Sequence, residues 1–173
     1  MLDLNSPRWA NLWHLYSGDP DWPTTATMIH RLRDAREEAK FDDAMADLWD
    51  SVLHQNDLCP AALAVVPHLL DIAERVRPQW GVKAVSLAGR LENARQQPWQ
   101  EALEAEWLRA VGDDLLAEYH AAIMRLPNVV NGLAAQLGAD SALSLSIAIL
   151  NGNGCGGLAE QLVRAFRREQ PPQ

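Results

Sequence analysis

Three side chains that are able to bind a metal or act as nucleophile and base lie close together in the sequence: His54, Cys59 and His68. A zinc site needs three or four ligands at about 2.0–2.3 Å, usually supplied as close pairs such as CxxC or HxxxH. The spacing here does not fit, because His68 lies about 12 Å along a predicted helix from Pro60 at about 1.5 Å per residue. We therefore predict no metal site. Since no third group is placed to orient a Cys–His pair, we also predict no catalytic residue.

The glycine-rich stretch 151–157, NGNGCGG, has a composition similar to that of phosphate-binding loops. Such loops follow a strand and lead into Lys and Ser or Thr, whereas Leu158 and Ala159 follow the glycines in this chain. We therefore predict that the stretch is a flexible connector, and that the protein binds no cofactor.

Two groups of carboxylates are candidates for recognising a basic protein. The first group lies opposite the apolar stripe of a predicted helix, and the second lies along the longest helical pattern. A solvated face and a docking face for a basic partner both explain such groups. The predicted partner-binding residues are Asp42, Asp43, Asp47, Asp50, Glu101, Glu104 and Asp114.

The length and charge of the chain limit its organisation and its partners. The 173 residues fit one domain, predicted to span 1–173 with a flexible tail at 168–173. The net charge of −8 repels phosphate backbones, so we predict no nucleic-acid partner. Neither a secretory signal nor an apolar run of about 20 residues is visible, which predicts a cytoplasmic protein without membrane contact. Cys59 and Cys155 lie outside any CxxC pair, which predicts reduced thiols.

The clearest structural pattern is a pair of helices joined by a polar turn. Apolar residues in the segment 41–53 recur at three- and four-residue steps, as on a helix that faces a core. The polar residues after this segment, with His54 and Gln55 at their head, predict a turn. Pro60 suits the first turn of the next helix. Pro67 removes one backbone hydrogen bond from that second helix and predicts a bend there.

The remaining sequence predicts further helices and no strand. Breaks are expected at Pro98, at Gly112 and at Pro127, where the chain restarts as a new helix. We therefore predict an all-α protein of about eight short helices, either a HEAT-like α-solenoid or an irregular helical bundle. Most of the seven tryptophans are expected to pack between these helices.

The segment from Leu48 to Ala73 resembles bacterial HEAT-like α-helical repeat proteins. In these proteins a His-Gln turn joins a Trp-containing helix to an Ala-rich helix with an internal proline. The resemblance implies a right-handed α-solenoid that binds proteins, and some such bacterial proteins look like immunity partners of secreted toxins. Asn56 stands where glycine or serine usually follows the His-Gln pair. The matching residues are Leu48, Trp49, His54, Gln55, Ala61, Ala62, Pro67 and Leu69.

Architecture and charge together favour a non-enzymatic protein-binding module. Its most concrete form is an immunity or inhibitor protein that occludes the basic surface of a toxin. One alternative is a small helical enzyme, either a hydrolase or a nucleic-acid base enzyme. Another is a self-associating structural protein, a homo-oligomer that uses Trp22 or Trp80 in an exposed patch.

Overall fold

Helices form most of the structure, a computed structural model that describes residues 1–19, 21–54, 57–98, 112–137 and 141–169. Within these ranges a short 3-10 helix, Pro7–Asn11, precedes seven α-helices, so the predicted all-α class is confirmed. The helices are α1 (Thr25–Asp34), α2 (Glu38–Val52), α3 (Ala61–Arg75), α4 (Pro78–Arg95), α5 (Asp113–Gln136), α6 (Ala142–Gly152) and α7 (Gly156–Glu169).

The first helices begin where the sequence supplies a capping side chain. The side chain of Ser6 accepts a hydrogen bond from the backbone N–H of Arg8, and that of Thr24 accepts one from Thr27. These oxygens satisfy amide groups that have no partner inside a helix. Local side-chain chemistry therefore determines where the 3-10 helix and α1 start.

The polar turn between α2 and α3 is a very short β-hairpin. Strands β1 (Leu53–His54) and β2 (Asp57–Leu58) pair antiparallel, with Leu53 opposite Leu58 and His54 opposite Asp57. The chain therefore reverses between the two helices, as predicted, although the sequence did not indicate the two-residue ladder. Gln55 lies outside the described residues. Pro67 lies within α3, which continues on both sides of it.

The predicted restart at Pro127 is wrong, because α5 runs through this residue without interruption. Proline removes only one backbone hydrogen bond from a helix. Buried side chains before and after it, Leu126, Val129 and Val130, hold both halves of α5 against the same core. At Gly112, where we predicted a break, φ is 87°, which glycine adopts at little cost, and α5 begins directly after it. The residues before it, 99–111, lie outside the described residues.

The helices stack as pairs in two layers. The pairs α1–α2, α3–α4 and α5–α6 are in contact; α1, α3 and α5 follow one another in one layer, and α2, α4 and α6 in the other. The last helix, α7, packs against α6. One hydrophobic cluster extends between the layers from Leu2 to Ala148. At Gly89 a Cβ atom would lie 2.6 Å from the carbonyl oxygen of Ala148, so this glycine permits close packing of α4 and α6.

The glycine-rich stretch 151–157 connects α6 to α7, as predicted, but most of its residues belong to these helices. Helix α6 extends through Gly152, and α7 already begins at Gly156. A Cβ atom on Gly154 would collide with the side chain of Gln96, and one on Gly156 with that of Asn93. The glycines therefore allow a tight turn to pack directly against α4.

The end of the chain is helical for longer than the sequence suggested. Residues 168 and 169, predicted as part of a flexible tail, belong to α7, which ends at Glu169. The rest of the predicted tail, 170–173, lies outside the described residues. Within the described ranges no helix combines the length and the apolar character needed to cross a bilayer.

Candidate functional site

Cys59 and His68 have separate surroundings. The Cys59 thiol is fully buried and donates to the carbonyl oxygen of Ser51 at 3.6 Å, and burial raises its pKa to about 12. A thiol of this kind is protonated at neutral pH and is a poor nucleophile. Across the described part of the chain, no group of three or more His, Cys, Asp or Glu residues comes together as a metal site.

His68 instead belongs to a cluster between α1 and α3. A guanidinium nitrogen of Arg33 lies 3.1 Å from Nδ1 of His68 and 3.0 Å from a carboxylate oxygen of Asp71. Because arginine only donates, Nδ1 accepts and the neutral ring carries its proton on Nε2. Burial, and then the charge of Arg33, lower the pKa of His68 to about 4. The backbone of Leu2 raises the pKa of His68 and so opposes this shift. Its contact with the ring does not have standard hydrogen-bond geometry, and Nε2 makes no such bond with any other described residue.

A second buried charged cluster, which the sequence did not indicate, joins α4 to α5. Glu92 is only 4% exposed and accepts a hydrogen bond of 2.5 Å from the Tyr119 hydroxyl. Arg95 binds both carboxylate oxygens, at 2.8 and 3.0 Å, and Gln96 donates to one of them at 2.6 Å. Burial alone raises the pKa of Glu92, but these hydrogen bonds outweigh it and leave the pKa below its usual value. Glu92 is therefore an ionised carboxylate with several donors.

The four aspartates of α2, which we call the acidic ridge, divide into two kinds. Asp42 accepts from Lys83 of α4 at 2.5 Å, and Asp47 forms a 3.3 Å ion pair with Arg31 of α1. Asp43 and Asp50 are exposed, and neither forms an ion pair with any residue in the described ranges. These two residues are seven positions apart and therefore share one side of the helix. They are the part of the ridge whose charge is still available to a partner.

The second predicted acidic group is not brought to the ridge by any described contact. Asp114 accepts two hydrogen bonds from Arg8, at 2.6 and 2.9 Å, and this contact lowers the pKa of its carboxyl group. The pair links the start of α5 to the N-terminal 3-10 helix. Glu101 and Glu104 lie outside the described residues. Asp114 therefore already has an intramolecular partner.

A groove with a tryptophan wall lies beside the acidic ridge, and we call it the tryptophan groove. Trp49 and Asp42 border it from α2, Ser86 and Arg90 from α4, and Ser144 from α6. It consists of two adjoining cavities of about 440 and 560 Å³, which share Trp49 and both serines. The Arg90 guanidinium lies 5.9 Å from the ring centroid of Trp49. Tryptophan and arginine are the residue types most enriched where protein partners bind strongly.

The tryptophans named for self-association are not in an exposed patch. Trp80 is 4% exposed and stacks on Phe41 at a centroid distance of 4.8 Å, so the prediction for this residue is wrong. Trp22 is half-buried and donates from its ring nitrogen to the Ser51 hydroxyl at 2.7 Å. Both rings serve the core, because a large aromatic surface gains most when neighbouring helices cover it.

Sequence reasoning identified the ridge but missed the groove, since Ser86, Arg90 and Ser144 come from helices far apart in the chain. Comparison of the chain with protein-family models, with curated proteins and with solved structures gave no match. The geometry of the ridge and the groove is therefore the basis of the functional argument.

Proposed function

We propose that this protein is a non-enzymatic binding module for a basic protein, and that the partner docks on the acidic ridge and the adjoining tryptophan groove. The observation that carries the proposal is the exposure of Asp43 and Asp50 without an ion pair in the described part of the chain. Two like charges on one helix side raise the attraction for a cationic surface.

Charge and apolar contact have different roles in this proposal. The aspartates accelerate association with a basic partner, because opposite potentials steer the encounter. Trp49 and the walls of the groove slow dissociation, because an aromatic side chain that loses its remaining water anchors an interface. Asp42 and Asp47 keep their intramolecular partners, Lys83 and Arg31, which hold the ridge between its neighbouring helices.

In its most concrete form the module is an immunity or inhibitor protein that covers the basic active surface of a toxin. Stacked helix pairs in two layers support the HEAT-like part of this proposal, since such scaffolds present extended binding surfaces. We also propose that the protein acts in the cytoplasm, which agrees with two free thiols at Cys59 and Cys155. The net charge of −8 supports a protein partner over a nucleic acid.

The test begins with a photo-crosslinking amino acid in place of Ala46, an exposed residue of α2 between the two free aspartates. Irradiation of cells that make the protein joins the partner to the ridge, and mass spectrometry identifies it. The purified partner is then measured against the wild-type protein and against Asp43→Lys/Asp50→Lys. We expect the Kd to rise on the order of 100-fold, at about ten-fold for each reversed charge, mainly through slower association.

A matched control reverses two exposed aspartates outside the ridge, Asp21 and Asp113, and so makes the same change in net charge. We expect Asp21→Lys/Asp113→Lys to keep the affinity within about three-fold, because screening weakens distant charges. An equal loss of affinity in both double variants would show that net charge alone causes the effect, and would contradict docking at the ridge. An unchanged Kd in the ridge variant would contradict it as well.

A further inference from the structure

A cationic pocket lies at one end of the helix pairs, although the chain as a whole is acidic. Four arginines border it: Arg33 from α1, Arg36 from the link to α2, Arg75 from α3 and Arg77 from the link to α4. We call this the arginine pocket. Its volume is about 390 Å³, and sites for small molecules commonly measure about 300–1,000 Å³.

The charges around the arginine pocket do not cancel. Asp71, the acidic residue among its lining side chains, binds Arg33 at 3.0 Å and Arg75 at 2.8 Å. Neither Arg36 nor Arg77 forms an ion pair with a described carboxylate; the Arg77 guanidinium lies 5.0 Å from the ring centroid of Trp80. Four positive charges against one negative charge leave the lining strongly cationic, which suits an anion with more than one charge.

Two further features supply hydrogen-bond donors for an anion. Arg36 and Arg77 are exposed, so their guanidinium groups can donate to an anion in the pocket. Helix α4 begins at the pocket, where Arg77 is its N-cap, and no side chain caps its first turn. Pro78 has no N–H, and the N–H of Trp80 donates to the carbonyl oxygen of Arg77, so the N–H of Gln79 is the donor of this first turn that can add to those of the arginines. Arginine itself binds phosphate through two parallel hydrogen bonds.

The other wall of the arginine pocket is apolar. Ala35, Ile72, Val76 and Trp80 line it, and Val76 is the one of these four that is not buried, so the pocket offers charge together with a small apolar surface. A bare anion would leave this surface in contact with water, whereas an organic group attached to the anion would cover it.

We propose that the arginine pocket binds the phosphate ester of a small organic molecule. The doubly charged phosphate lies among Arg36, Arg77 and the start of α4, and the organic part lies against Val76. This site is separate from the acidic ridge, and none of its arginines belongs to the proposed protein interface. A failure of one proposal therefore leaves the other intact.

The experiment uses phenyl phosphate as the probe, measured by isothermal titration calorimetry with the full chain. We expect saturable binding to the wild-type protein, with a Kd at least about ten-fold higher in Arg36→Ala/Arg77→Ala, because two charged donors are lost. The matched control is Arg90→Ala, which removes the arginine over Trp49 in the tryptophan groove and should leave the Kd unchanged. Arg36→Lys/Arg77→Lys keeps the charge but loses the paired donors, and should give an intermediate Kd.

Inorganic phosphate and benzoate test the two halves of the ligand. Both should bind more weakly than phenyl phosphate, because the first lacks the apolar group and the second carries a single charge. No saturable binding of phenyl phosphate, or the same Kd in the wild-type protein and both double variants, would overturn the proposal. Equal affinity for inorganic phosphate, or tighter binding of benzoate, would overturn the assignment to a phosphate ester.

Discussion

The two buried charged clusters of this protein satisfy their polar atoms to different degrees. Between α4 and α5, Glu92 receives hydrogen bonds from Tyr119, Arg95 and Gln96 at 2.5–3.0 Å. Between α1 and α3, one nitrogen of Arg33 reaches both His68 and Asp71. In the His68 cluster, Nε of Arg33 makes no hydrogen bond with a described residue, and Nε2 of His68 makes none of standard geometry.

This difference separates a cluster that supports the fold from one that lies next to a candidate binding site. A buried carboxylate is stable only when donors replace the water it has lost, and Glu92 has them. Arg33 and Asp71 also border the arginine pocket, so this cluster lies beside a cationic cavity. We infer that the Glu92 cluster stabilises α4 against α5, whereas the His68 cluster holds Arg33 and Asp71 at the edge of the pocket.

The largest effect is expected from Glu92→Ala. The change leaves the buried Tyr119 hydroxyl without its acceptor and removes two charged hydrogen bonds of Arg95, so the free energy of unfolding should fall by about 3–5 kcal/mol. Urea denaturation followed by circular dichroism measures this free energy. Glu74→Ala removes an exposed ion pair with Arg125 and serves as the control, with an expected loss of less than about 1 kcal/mol. Equal losses in the two variants would show that the cluster does not stabilise the fold.

The second effect is a pH dependence that arises at His68. Its pKa is about 4 in the folded protein against an ordinary value of 6.5, so between these values the unfolded chain binds the extra proton. Stability from this residue is complete above pH 6.5 and is lost as the pH falls towards 4, by about 3 kcal/mol. Burial also lowers the pKa of His14, so both histidines contribute to the pH dependence of the wild-type protein. Comparison with His68→Gln isolates the contribution of His68.

Denaturation of both proteins between pH 7 and pH 4 provides the comparison. The wild-type protein should lose about 3 kcal/mol more than His68→Gln over this interval. Parallel curves for the two proteins would mean that His68 takes up its proton equally in the folded and the unfolded chain. The environment of the His68 cluster would then be as polar as water.

The smallest effect is expected from Tyr119→Phe. The ring continues to fill its buried position, but Glu92 loses one of its donors, and a hydrogen bond to a charged group contributes about 1.5 kcal/mol or slightly more. Thermal denaturation should show a lower Tm than that of the wild-type protein, but a higher one than that of Glu92→Ala. If Tyr119→Phe were as unstable as Glu92→Ala, then Arg95 and Gln96 would contribute nothing to the cluster.

The local features of the fold could be predicted because short segments of the chain encode them. The apolar stripe of α2, the reversal after Leu53 and the start of α5 after Gly112 follow from helical spacing and from the conformational freedom of glycine. Prediction failed at Pro127, where packing of the buried side chains of α5 outweighs the local preference for a break. In the stretch 151–157 the sequence did not indicate that the two flanking helices would include most of the residues, or that the turn between them would lie against Asn93 and Gln96.

The candidate sites were less predictable than the fold. The sequence indicated the acidic ridge, since its aspartates share one helix. It could not indicate that Lys83 and Arg31 would engage two of them, or that Asp43 and Asp50 would form no ion pair with a described residue, because ion-pair partners come from other helices. The four arginines of the arginine pocket likewise lie in separate segments, and no spacing rule connects them.

The sequence by itself determined that this chain is helical, where several of its helices begin, and that one side of α2 is acidic. Capping, periodicity and turn formation act over a few residues, so they can be read along the chain. Only the tertiary structure decided which charges are buried with partners and which remain available. Electrostatic and hydrogen-bond contacts depend on distances of a few ångströms between helices, and the stacking of the two layers sets those distances.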